Sequence, residues 1–161
     1  YMEAFPGYYQ TGDAGMIDED GYVHVMARTD DVINVAGHRL STGQLEEILT
    51  GHPDIAECAV VGVADSLKGQ LPLGLMVLNA GCERAEAEVA SEVVSLVREK
   101  LGPVAAFKNA RVVTKLPKTR SGKILRATIR AMADGQPYKV PGTIEDISVL
   151  DQIKPLIQPG A

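Results

Sequence analysis

The run Leu116-Pro117-Lys118-Thr119-Arg120-Ser121-Gly122-Lys123 gathers three cations on a stretch that a proline stiffens and a glycine joints. A lysine ammonium is a compact point charge on a flexible stem, suited to neutralising charge that develops on a phosphoryl or carboxylate oxygen. Lys123 is expected at the entrance of a helix, where its charge opposes the helix dipole and so suggests a task other than helix stability. The run is not a Walker phosphate loop. Pro117 stands five positions before Gly122, where that loop needs glycine, and Ile124 rather than Ser or Thr follows Lys123. A solvated basic surface loop would show the same pattern, so these residues alone leave both readings open.

The run sits inside a wider charge segregation. Eight of the sixteen basic residues fall between Lys108 and Arg130 (Lys108, Arg111, Lys115, Lys118, Arg120, Lys123, Arg126 and Arg130) with no acid among them, although the net charge is -5. The acids gather elsewhere, as in Glu83, Glu86, Glu88, Glu92 and Glu99, which read as the wet face of a helix. An anion is expected at the basic stretch. A nucleic-acid reader would interleave aromatic side chains for stacking, and only Phe107 borders this stretch, so a small polyanion such as a nucleotide or coenzyme fits better.

Other chemistry-bearing residues are sparser. Thr11-Gly12-Asp13 ends a strand with a carboxylate that could accept two hydrogen bonds from the vicinal hydroxyls of a ribose, or could cap a turn. Arg28 closes the return strand. His52 precedes a proline near a helix end, His38 reads as a loop-positioning residue and His24 as a strand residue. Cys58 and Cys82 form neither a CxxC pair nor a zinc pattern and read as quiet thiols, which fits a reducing compartment.

The elements that must hold these residues follow from periodicity and breakers. Ala14 to Ala27 reads as a β-hairpin turning at Asp18-Glu19-Asp20-Gly21, and it needs further strands or a partner layer to pack on. A charged break at Arg28 to Asp31 marks a domain boundary, followed by a strand at Val32 to Val35. Ser41-Thr42-Gly43-Gln44 has capping-box spacing for a helix carrying Leu45, Ile48 and Leu49, stopped by Gly51 and Pro53. Ala59–Ala64 and Pro72–Leu78 read as an antiparallel pair, and Glu83–Leu101 as a long amphipathic helix. Ala110–Lys115 is a third strand, Pro117–Gly122 a loop and Ile124–Asp134 a helix closed by Gly135. The expected fold is α+β: a small three-stranded, mostly antiparallel sheet with flanking helices, preceded by a hairpin that belongs to another domain. Residues 1–29 are assigned to that domain, 30–135 to the small domain and 136–161 to a tail with one amphipathic piece at Val149 to Ile157.

Composition bounds the rest. With 161 residues, 45% apolar, the chain can bury a core, and its longest apolar runs are strand-sized, far short of a bilayer span. The first residues, Tyr1-Met2-Glu3-Ala4-Phe5-Pro6, lack the basic-then-apolar pattern of a secretory signal. Neither a membrane nor a nucleic acid is an expected partner.

Three ordered motifs, Thr11-Gly12-Asp13, Arg28-Thr29-Asp30-Asp31-Val32-Ile33-Asn34-Val35-Ala36-Gly37-His38-Arg39 and Leu116 to Lys123, closely resemble the C-terminal part of short-chain acyl-CoA synthetases. These belong to the adenylate-forming superfamily, with acetyl-CoA and propionyl-CoA synthetases, firefly luciferase and peptide-synthetase adenylation domains. The resemblance covers nearly the whole chain and implies a mobile C-terminal lid that completes an N-terminal adenylation domain, using ATP, coenzyme A and Mg2+. By this resemblance Asp13 and Arg28 hold the ribose of ATP, Arg39 meets nucleotide phosphates and Asp30 is the hinge of lid rotation. The Ala36 and Gly37 backbone lines the pantetheine tunnel and Arg98 contacts a coenzyme A phosphate. Lys123 orients the carboxylate and α-phosphate during adenylation, and acylation of this lysine by an acyltransferase, reversed by a deacylase, silences the enzyme. Thr50, His52 and Ile55 fall where relatives hold a cation.

Two positions depart from the common pattern: Ala36 replaces a serine found in many acetyl-CoA synthetases, and Asn34 replaces the lysine of other branches. Gly102 to Phe107 and Tyr138 to Asp146 resemble propionyl-CoA synthetases more than acetyl-CoA synthetases, which implies propionate, with acetate as the alternative acid. A cytoplasmic location, or the mitochondrial matrix, is implied with it. A reading of another class stays open: a stand-alone coenzyme A-binding or acylation-regulated module without catalysis.

Overall fold

The structure is a computed structural model that describes residues 5–9 and 11–158, excluding the side chains of Ala14, Met26, Ala27 and Asp30. Tyr1 to Ala4 of the expected chain start lie outside the described residues.

The first hairpin forms where the sequence places it. Strands β1 (Asp13–Ile17) and β2 (Val23–Arg28) pair antiparallel with a bulge between Ala14 and Gly15. Asp18 Oδ1 accepts the N–H groups of Asp20 and Tyr22 at 3.1 and 2.8 Å, and Gly21 takes φ +86°. The two strands make a sheet of their own, and Ile17, Tyr22, Val23 and Val25 stay exposed on it.

A short 3-10 turn, Thr29–Asp31, leads into a second sheet of five strands rather than the expected three. The expected strand β3 (Val32–Val35) joins this sheet, and β4 (His38–Ser41) is new, the two forming a hairpin closed by Ala36 and Gly37. Both turn residues have positive φ, +49° and +89°. Two-residue hairpin turns need this, but the usual signal is Asn or Asp before the glycine, and Ala36 conceals it. β4 runs directly into helix α1 (Thr42–Thr50), with Ser41 Oγ accepting the Gln44 N–H at 3.4 Å.

β5 (Ile55–Asp65), at the edge of the sheet, and β6 (Gly69–Leu78) form its longest antiparallel pair, and α2 (Glu86–Leu101) then returns to the short strand β7 (Asn109–Val112). β7 runs parallel to β6, pairing at Leu73 to Met76, whereas β3 meets β6 at Gly69. Pro72 lies between these two contacts. It faces Gly62 across the ladder, in phase with Val60 and Ala64, whose N–H groups turn outward to Glu46 and Asp134. The proline nitrogen therefore points into the gap between β3 and β7, where no donor is required.

Residues 58–62 of β5 and 72–76 of β6 are buried without alternation because both faces of the sheet are covered there. One face holds Leu45, Ile48 and Leu49 of α1 and Val89, Val93 and Val97 of α2 against Ile33, Val35, Val60 and Met76. Phe107 packs there over Gly74, where an added Cβ would come within 2.8 Å of the ring. The other face holds helices α3 (Arg126–Ala133) and α4 (Ser148–Ile157) over Ala59, Val61, Leu73 and Leu75. Val149, Leu150, Ile153 and Ile157 of the expected tail are thus core residues. No helix among the described residues is long and apolar enough to cross a membrane.

Candidate active site

Lys123 does not stand at a helix entrance, because α3 begins at Arg126. It lies instead at the end of a tight backbone hairpin. Thr119 N–H donates to the Lys123 carbonyl at 2.8 Å, Gly122 N–H to the Thr119 carbonyl at 2.8 Å, and Lys123 N–H to Thr119 Oγ1 at 3.1 Å. Gly122, at φ +83°, makes the reversal possible. Leu125 N–H closes the base on the Pro117 carbonyl at 2.9 Å.

A third segment braces this hairpin: Arg120 N–H donates to the Thr143 carbonyl and Glu145 N–H to the Lys118 carbonyl, both at 2.9 Å, with Ile144 bridged to Thr119. Sequence reading missed the brace. Its only signal was the proline and glycine that set Thr143 to Glu145 apart as an extended piece.

The eight cations of the basic stretch have different fates. Lys118 pairs with Glu57, Arg126 with Glu46, Lys115 with Glu145 at 3.7 Å and Arg130 with Asp134 at 3.9 Å. Arg111 donates to the Leu156 carbonyl at 3.2 Å. Among the described residues, the side chains of Lys108, Arg120 and Lys123 have neither an ion pair nor a hydrogen bond. Arg120 and Lys123 share the hairpin tip, exposed. This concentrates uncompensated positive charge at one point, where an anion gains the most.

The other predicted residues fall into two groups. Asp13 and Arg28 are partners in the β1–β2 register, with Oδ1 and Nη1 3.9 Å apart, so both face the same end of the hairpin. Thr29 Oγ1 donates to the Gly12 carbonyl at 2.8 Å and fixes the motif beside them. Asp30 lies in the 3-10 turn that joins the two sheets, and its side chain lies outside the described residues.

The second group surrounds Lys68. Its carbonyl accepts the Ala36 N–H at 2.8 Å, while Asn34 Oδ1 accepts the Gly37 N–H at 3.1 Å, so the positive-φ turn is held from both sides. Lys68 also lines a crevice of about 250 Å³ with Arg98, Lys108 and Phe107, and no acid lines it. Lys68 and Lys108 were not singled out as contacts there. Lys68 had no sequence signal, since it stands alone in a polar loop. Arg39 is exposed on β4 opposite Asn34.

His52 is a clasp. It is buried, its Nε2 lies 3.0 Å from Glu92 Oε2, and its Nδ1 accepts the Asp54 N–H at 3.2 Å. Arg84 joins Asp54, Glu88 and Glu92, and its hydrogen bonds, followed by that of His52, pull the Glu92 carboxyl down to about 2. Thr50 Oγ1 donates back to the Glu46 and Glu47 carbonyls. Cys58 is buried, and burial first, then the nearby Glu46 carboxylate, push its thiol up to about 12, so it is inert at neutral pH.

Residues 44–123 match the family described as the AMP-binding enzyme C-terminal domain. The chain is 54% identical over 158 residues to mouse "Acyl-CoA synthetase short-chain family member 3, mitochondrial", covering 98% of this chain and 23% of that protein. It is 44% identical over 154 residues to the acetyl-coenzyme A synthetase of Pyrobaculum arsenaticum, covering 96% of this chain and 23% of that protein. The chain thus spans about a quarter of the length of the curated relatives it matches. Among solved structures it resembles the Brucella canis acyl-CoA synthetase, with TM-score 0.59 and 37% identity over 78% of this chain and 23% of that one. Residues 44–123 thus belong to the AMP-binding enzyme C-terminal domain family, and nearly the whole chain is similar to part of the short-chain acyl-CoA synthetases.

Proposed function

We propose that the chain is the mobile lid, with its hinge and the last strands before it, of an AMP-forming short-chain acyl-CoA synthetase whose preferred acid is propionate. The observation that carries this reading is the Lys123 hairpin: a rigid, braced backbone presents an unneutralised ammonium while five of the neighbouring cations are engaged within the protein. In the first half-reaction a carboxylate oxygen attacks the α-phosphorus of ATP and diphosphate leaves. The Lys123 ammonium draws carboxylate and phosphate together and offsets their repulsion. In the second, the coenzyme A thiol attacks the acyl carbon, and AMP leaves. Asp13 and Arg28 hold the ribose and Arg39 the phosphates, while rotation at Asp30 brings the Ala36-Gly37 turn and Arg98 to the coenzyme.

The adenylation domain, which would precede this segment, is the principal partner and would cover the exposed face of β1 and β2. Mg2+ bound with ATP would supply positive charge to offset that of the departing diphosphate. A cation at Thr50, His52 and Ile55 would rest on backbone carbonyls, because the Thr50 and His52 side chains are already engaged. Reversible acylation of exposed Lys123 would remove the charge and silence the first step. Free Cys58 and Cys82 suit a reducing cytoplasm or mitochondrial matrix.

In the full-length enzyme, Lys123→Ala is expected to abolish acyl-AMP formation in ATP–diphosphate exchange while sparing thioester formation from supplied acyl-AMP. Equal loss in both half-reactions would defeat this division. The same exchange assay across two- to four-carbon acids is expected to peak at propionate, and a peak at acetate would reassign the substrate. The Lys68, Arg98 and Lys108 crevice favours a second reading, a coenzyme A-binding module acting alone. It requires saturable binding of coenzyme A by the isolated chain in calorimetry.

A further inference from the structure

Nothing bonded to its side chain fixes Lys123, so its position is set by where the hairpin is anchored. The hairpin's exit leads within three residues to Arg126, the first residue of α3. Arg126 Nη2 donates to both carboxylate oxygens of Glu46 at 2.8 Å, and Nε to Oε1 at 3.2 Å. That fork fixes a plane as well as a distance, which a single contact cannot do. Glu46 Oε1 also accepts the Val60 N–H at 2.9 Å, on the outer edge of β5. One carboxylate from α1 thus ties the end of the hairpin to the edge strand of the sheet. The Glu46 side chain is 18% exposed, and the Arg126 side chain 29%.

We infer that Glu46 is a positioning residue for Lys123, acting through Arg126, and that it sets the rate of adenylation without touching a substrate. The inference rests on the reading of Lys123 as the adenylation lysine. Lys118, paired with Glu57, holds the entry of the hairpin from the same edge strand, so with Glu46 intact the loop is fixed at both feet. Without Glu46 the exit foot keeps its backbone bond to Pro117 but loses its tie to β5, so the hairpin can shift relative to the sheet. A misplacement on the order of 1 Å at a reacting group lowers rate by roughly 100-fold.

The test is Glu46→Gln in the full-length enzyme, which keeps the shape but removes the charge and the fork. Adenylation kcat is expected to fall roughly 10- to 100-fold. The KM for ATP and the rate of thioester formation from supplied acyl-AMP are expected to stay within about 2-fold, because uniform binding and the second half-reaction do not use the hairpin. The Glu46→Gln/Arg126→Gln double variant is expected to lose no more than the more damaged single variant. Hydrogen exchange provides a reading independent of activity: the Thr119, Gly122, Lys123 and Leu125 amides should exchange roughly 10-fold faster in Glu46→Gln, with β6 amides unchanged. Unchanged hairpin exchange, or equal losses in both half-reactions, would overturn the inference. If Lys123→Ala itself kept adenylation, the functional reading would fall, while hairpin exchange would still decide whether Glu46 anchors the loop.

Discussion

Lys123 and Ala36 show how differently a single residue can be placed. Lys123 is held by its backbone and leaves its side chain uncommitted, whereas Ala36 has little side chain and is held in a conformation alanine avoids. A left-handed alanine costs roughly 1 to 2 kcal/mol, and asparagine tolerates that region better. Ala36→Asn is therefore expected to raise stability by roughly 1 kcal/mol, read as a higher denaturation midpoint of the chain. A lower midpoint would show that the added amide disturbs the Lys68 carbonyl contact that braces the turn. The hairpin that brings Asp13 opposite Arg28 was legible because its turn is short and strongly signalled. The role of Lys68 was not, because the residues it serves lie far from it in the chain.

At the scale of elements, α1 and α2 are clasped at one end by His52, Asp54, Arg84, Glu88 and Glu92. Glu92 is the titrating member to watch. Its folded value, about 2, lies below the usual 4.5, so the carboxylate stabilises the fold above the unfolded value and that contribution disappears as pH falls from 4.5 toward 2. The effect is modest, because the group is half exposed and salt screens it. Arg84→Met is expected to flatten the loss of stability across that pH window, measured by urea unfolding at low salt. A slope unchanged from the parent protein would assign the acid loss to other carboxylates. Capping signals placed α1 where it lies, periodicity started α2 three residues early, and the β5–β6 pair was read shorter than it is. β3 was read as a strand but its return strand β4 escaped because the turn between them lacks the usual asparagine, and α3 starts later than expected because Thr119 to Lys123 bond to one another across a turn.

The whole molecule is a sheet with a core on each face, and the second core is finished only by the last helix. Ile153 is 1% exposed there, so Ile153→Ala is expected to cost about 2–5 kcal/mol in equilibrium unfolding, where a solvated tail would lose almost nothing. The same C-terminal stretch braces the Lys123 hairpin through Thr143, Ile144 and Glu145. The amino-acid sequence alone determined the α+β class, most elements and their order, the motif residues and the acid-free basic stretch. Each of these is written in near-neighbour spacing. Only the tertiary structure decided which cations stay unneutralised, because the acids that quench Lys118 and Arg126 lie 61 and 80 residues away. Chain closure, and not local pattern, sets those distances. It turns a uniformly basic stretch into two anchored feet with a charged tip between them.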